Sequence, residues 1–115
     1  MKLQEALGAV VATVLFAAAG GLYAAPGDPA AGQQKNSMCI GCHGILDYRT
    51  AYPEVYSVPK IGGQHAAYIV KALQEYKSGA RSHPTMKAIA AGLSHQDMAD
   101  LAAYYSSSST KSASK

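Results

Sequence analysis

The stretch SMCIGCHGI, Ser37 to Ile45, holds both cysteines of the chain, Cys39 and Cys42, with His43 directly after the second. C-x-x-C-H is the attachment signature of a c-type haem. Each thiol adds to one vinyl group of the porphyrin, and the two-residue spacer sets the distance between the sulfurs. The histidine that follows is then held at the iron, where its imidazole takes one axial position. On this reading Cys39 and Cys42 anchor one haem c per chain covalently, and His43 is the proximal ligand. A disulfide across two residues would close too small a loop to stabilise much. A thioredoxin-like pair needs a βαβ setting, and a structural zinc site needs about four ligands. The sequence provides neither.

Outward from the motif, the chain divides into three. Residues 1–25 read as a signal peptide: Lys2, then an apolar run from Leu7 to Leu22 broken only by Thr13, then small residues before Pro26. The expected cut lies after Ala24 or Ala25. Glu5 and the lack of a clean A-x-A site depart from the pattern, and an uncleaved membrane anchor is the alternative. Both place the remainder outside the cytoplasm, in the periplasm. Residues 26–105 form the domain. Residues 106–115, SSSSTKSASK, are polar and low in complexity and read as a disordered tail.

The domain is short of bulky apolar groups. The chain has no Trp, and its only Phe, Phe16, lies in the leader. Its large side chains are tyrosines, whose hydroxyls need partners when buried. A chain of this kind gains from a large apolar body to fold around, as small domains often do. The formal charge of +3 comes from scattered lysines and arginines. That scatter gives no clustered basic patch for nucleic acid and is compatible with docking to an acidic protein surface.

The periodicities are helical. Asp28 followed by Pro29 starts a helix running to about Met38. Ile69, Leu73 and Tyr76 recur at helical spacing in a second helix stopped by Gly79. TMKAIAAGL, from Thr85 to Leu93, reads as a turn or two of Ala-rich helix. Ser94 with Asp97 caps a last helix, whose stripe is Met98, Leu101, Ala102 and Tyr105. Between Gly44 and Gly63, Pro53, Pro59 and a Gly pair mark about 20 residues of loop, long for a compact domain. The expected class is all-α with long loops.

Iron held by one histidine has a second axial position. Met38 adjoins the anchor and does not reach the far side. Met98 sits in the last helix stripe as core filler. His95 lies near an exposed helix start, and His65 suits a solvated or capping role. Met86, in ARSHPTMKA, a loop opened by Gly79 and fixed by Pro84 that can carry a thioether toward the iron, is the favoured ligand; His83 is the runner-up. His/Met ligation raises the reduction potential and suits electron transfer.

The sequence resembles a class I cytochrome c of the small single-haem exported bacterial type. The matching stretches are GQQKNSMCIGCHG, VPKIGGQHAAYI, YKSGARSHPTM and LSHQDMADLAAYY. The resemblance implies a fold of helices wrapped around one haem. It implies that the Pro59 carbonyl accepts from the proximal histidine, and that Gly32 lies where first and last helices cross, against Leu101 and Tyr104. It further implies that Ile61 and Ile89 wall the pocket and that Tyr68 and Arg81 bind propionates. One departure is ILDYRTAYPEVYSV, longer and richer in tyrosine than in the smallest members. Tyr48, Tyr52 and Tyr56, four residues apart, read as a helical turn over a haem edge, the alternative being a surface for a partner.

The function so implied is electron transport between redox partner proteins, without catalysis of its own. Alternatives are a haem subunit of a larger oxidoreductase, or a ligand-binding haem sensor.

Overall fold

A computed structural model describes residues 26–52 and 54–108; the leader and most of the Ser-rich tail lie outside these. Five helices follow in order: α1 (Pro29–Lys35), α2 (Ser37–His43), α3 (Ala66–Ser78), α4 (Pro84–Ala91) and α5 (His95–Ser107). No strand occurs among the described residues beyond an isolated antiparallel bridge between Arg49 and Ser57. The all-α expectation holds.

The first helix starts as its sequence dictates, with Asp28 accepting from the Ala30 amide at 2.9 Å and Pro29 at the first position. It does not run on unbroken to Met38. At Asn36 the turn tightens: its carbonyl accepts from both Cys39 (2.8 Å) and Ile40 (2.9 Å), and a new helix, α2, carries the C-x-x-C-H motif itself. Asn is a weak helix former because its side chain competes for backbone bonds, so the break falls there. Gly79 ends α3 in the left-handed conformation (φ 87°), its amide returning to Glu75 and Tyr76. Ser94 and Asp97 form a reciprocal capping box on α5. That helix reaches Ser107, two residues into the segment read as tail.

Ile69 and Leu73 of α3 pack against Met98, Leu101, Ala102 and Tyr105 of α5. Met98 is wholly buried, as a core filler should be. The first and last helices cross at Gly32. A Cβ there would run into the Asp100 carbonyl and stand 2.7 Å from the Tyr104 Cβ. Tyr104 is thus the expected neighbour, but the other is the backbone of Asp100 rather than Leu101, which turns into the core.

Asp100, 3% exposed, fastens this crossing. Its carboxylate accepts from the Asp28 amide (2.9 Å), the Lys35 ammonium (2.6 Å) and the Gln96 amide (2.9 Å). Lys35 also reaches Asp97 at 2.9 Å. The Asp28 amide above all, then Lys35 and Gln96, hold the Asp100 carboxyl down at about 2. Asp97 is likewise held at about 2, first by the Ser94 amide. A depressed carboxylate stabilises the fold above its unfolded pKa, near 4, and loses that contribution as pH falls through its folded value. Asp100→Asn is therefore expected to cost about 2 kcal/mol near neutrality. In denaturant titrations against pH, the gap from the parent should close between about pH 4 and pH 2. A gap unchanged by pH would show that the charge is not what holds the helices.

The stretch around Tyr48, Tyr52 and Tyr56 is not a helical turn. The Thr50 amide donates to the Tyr56 carbonyl and the Val58 amide to the Tyr48 carbonyl, both at 2.9 Å. The segment is two antiparallel arms of a loop, with Tyr48 on one and Tyr56 on the other. Tyr52 near its tip is 88% exposed.

Candidate haem site

Helix α2 sets Cys39 and Cys42 three residues apart on one helical turn, both as free thiols and both half-buried. Cys39 packs against the core, and burial pushes its thiol above the usual range. His43 is the last residue of the helix, and the Gly44 amide closes the end by donating to Ile40 and Cys42.

His43 Nδ1 lies 2.7 Å from the Pro59 carbonyl. A carbonyl only accepts, so Nδ1 carries the proton and Nε2 keeps a lone pair for a metal. This is the contact the resemblance implied, and it selects the tautomer a proximal ligand requires.

His83 is set the opposite way. It is the N-cap of α4, and its Nδ1 accepts from the Met86 amide at 3.2 Å. A backbone N–H only donates, so in the neutral ring the proton sits on Nε2, leaving no free lone pair for iron. Met86 is not in a loop, as the sequence reading had it, but the third residue of α4.

Cys39, His43 and Met86 line one cleft. Its walls are Met38, Ile61, Ile69, Leu73, Ile89, Leu101 and Tyr105. Ile61 and Ile89 are among these walls; Ile69, Leu73 and Tyr105 had been read only as helix stripes. The signal was present in Tyr105, a hydroxyl carried on a core-facing stripe. That hydroxyl is buried without a hydrogen-bond partner, and desolvation raises its pKa to about 12. An apolar cleft with the Cys39 thiol in its wall, Cys42 one helical turn further on, a correctly tautomerised imidazole and an unpartnered phenol fits a porphyrin.

Tyr68 and Arg81 do not line the cleft. Arg81 Nη2 donates to the Tyr68 hydroxyl at 3.3 Å, and its guanidinium lies 5.2 Å from the Tyr76 ring centre and 3.7 Å from Glu75. His65 is exposed at the start of α3 and makes no side-chain cap bond, so the solvated role stands and the capping one does not. His95 borders a separate groove along α3. Met98 is in the core.

The family model described as cytochrome c matches residues 29–109. The chain is 41% identical over 87 residues to cytochrome c4 of Pseudomonas aeruginosa, an alignment spanning 76% of this chain and 41% of that protein. It is 42% identical over 84 residues to cytochrome c-554(548) of Halomonas halodenitrificans, covering 70% of this chain and 96% of that one. The crystal structure of reduced cytochrome c4 from Pseudomonas stutzeri superposes with a TM-score of 0.53 at 29% identity, over 73% of this chain and 51% of that one. The chain therefore belongs to the cytochrome c family, whose cofactor is covalently bound haem c. It spans about half the length, or less, of the cytochrome c4 proteins it matches.

Proposed function

We propose that the chain is a periplasmic electron carrier whose single haem is ligated by His43 and Met86. The observation that carries this is the pairing in one apolar cleft of an imidazole with its Nε2 lone pair free and a thioether. Attached haem c supplies an iron that takes up or gives back one electron. The Pro59 carbonyl fixes the His43 ring and strengthens it as a donor. Met86 offers a soft sulfur, which favours the reduced state and raises the potential. Ile61, Ile69, Leu73, Ile89 and Leu101 exclude water and lower the local dielectric. With His43 and Met86 both holding it, the bound haem would leave no open position for a substrate or gas, which separates a carrier from a sensor.

Export rests on the leader-like residues 1–25. No helix of the described residues is long and apolar enough to cross a membrane. Partners are redox proteins meeting a small, transient interface. The test is an optical spectrum of the purified, haem-loaded protein. A far-red sulfur-to-iron band in the oxidised form, and no carbon monoxide uptake by the reduced form at neutral pH, are expected. Ready carbon monoxide binding would replace the carrier by a ligand sensor. Copurification with a flavin, molybdenum or copper subunit would make it part of a larger oxidoreductase.

A further inference from the structure

The long loop before α3 is fastened to the turn that carries Met86. Ser, Thr, Asp and Asn usually cap helix N-termini with a short side-chain oxygen. In α4 the cap is an imidazole nitrogen, and the amide it receives is that of Met86. A ring makes a directed cap only if its plane is held. Two tyrosines hold it: the Tyr56 ring centre is 4.1 Å from that of His83, tilted by 36°, and Tyr76 of α3 meets it edge-on at 6.1 Å. Tyr56 is itself tied down. Its amide donates to Thr50 Oγ1 at 3.0 Å, its carbonyl accepts from the Thr50 amide at 2.9 Å, and its hydroxyl donates to Glu54 at 2.8 Å. Loops of about this length in compact domains generally serve a function.

We infer that Tyr56 and His83 form a brace that positions Met86, making the tyrosine-rich loop a support for the axial thioether. The inference rests on Met86 being the ligand. His83 acts through the Met86 amide and Tyr56 through the His83 ring, so both are positioning residues. Their effects must be coupled, since the stack matters to Met86 only through the cap.

The measurement is the affinity of the oxidised, haem-loaded protein for added imidazole, which competes with Met86, followed by loss of the far-red band. Far-UV circular dichroism of each variant monitors global unfolding separately. His83→Ala is expected to raise imidazole affinity roughly fivefold, the size of a lost N-cap. His83→Asn restores a short cap acceptor and should return the affinity to within about twofold of the parent. Tyr56→Ala should raise it about threefold, and the double variant no further than His83→Ala alone. Parent-like affinity in His83→Ala, or single effects that multiply in the double variant, would overturn the brace while leaving Met86 as ligand. Absence of the band in the parent would overturn the ligand assignment and the brace together.

Discussion

Met86→Ala is expected to abolish the far-red band of the oxidised protein, to admit carbon monoxide to the reduced protein, and to lower the reduction potential. The fall should be on the order of 100 mV or more, within the ~0.8 V over which axial ligands set haem potentials. The reasoning is that a thioether favours the electron-rich iron and closes the sixth position. Alanine at the third residue of α4 does neither, while keeping the helix. Met98→Ala is the control. Met98 is wholly buried among Ile69, Leu73 and Leu101, so its truncation should cost about 2–5 kcal/mol of stability and leave the band in place. A band that survived Met86→Ala would remove the ligand assignment at once.

Gly32→Val is expected to cost the domain a large part of its stability. The new Cβ would meet the Asp100 carbonyl and the Tyr104 Cβ, and neither is the far end of a side chain that can swing aside. Relief requires α1 and α5 to separate, which also pulls the Asp28 amide and Lys35 away from the buried Asp100 carboxylate. Overpacking commonly costs 1–3 kcal/mol, and the backbone partner puts this case at about 3 kcal/mol. For a domain of this size that is a drop on the order of 15 °C in Tm. Gly32→Ala should lose less, because part of the clash is offset by the roughly 1 kcal/mol that alanine gains over glycine inside a helix. An unchanged melting temperature for the valine variant would mean that the two helices do not meet as described.

The parts that were legible in the sequence are those governed by local rules. Asp28, Pro29, Gly79 and the Ser94–Asp97 pair mark helix ends through backbone chemistry within a few residues, and the structure uses all of them. The C-x-x-C-H spacing is equally local. What was missed depends on residues far apart in the chain. Asp100 reads as an ordinary surface acid of an amphipathic helix; only the arrival of Asp28, 72 residues earlier, makes it a buried staple. Gly32 was placed at the crossing by family resemblance, but which atoms of α5 it touches depends on helix rotation, which periodicity fixes only loosely. The tyrosine stretch misled because a four-residue spacing mimics a helix face. Pro53, between the second and third tyrosines, lacks the amide that a helix needs, and the ladder bonds of Thr50 and Val58 settle the backbone as paired arms instead. His83 looked like a rival ligand because residue type alone does not reveal which ring nitrogen is engaged.

Because α1 is latched to α5, the domain cannot close until its last helix has been made. Contacts of such long range form late and slowly, since the intervening chain must first be brought together. Cys39 of α2 packs against a core built from α3 and α5, so the surroundings of that thiol are complete only once α5 is docked. The crossing thus ties the motif-bearing turn to a helix more than 50 residues further along the chain, so that ordering around the motif is coupled to the docking of α5.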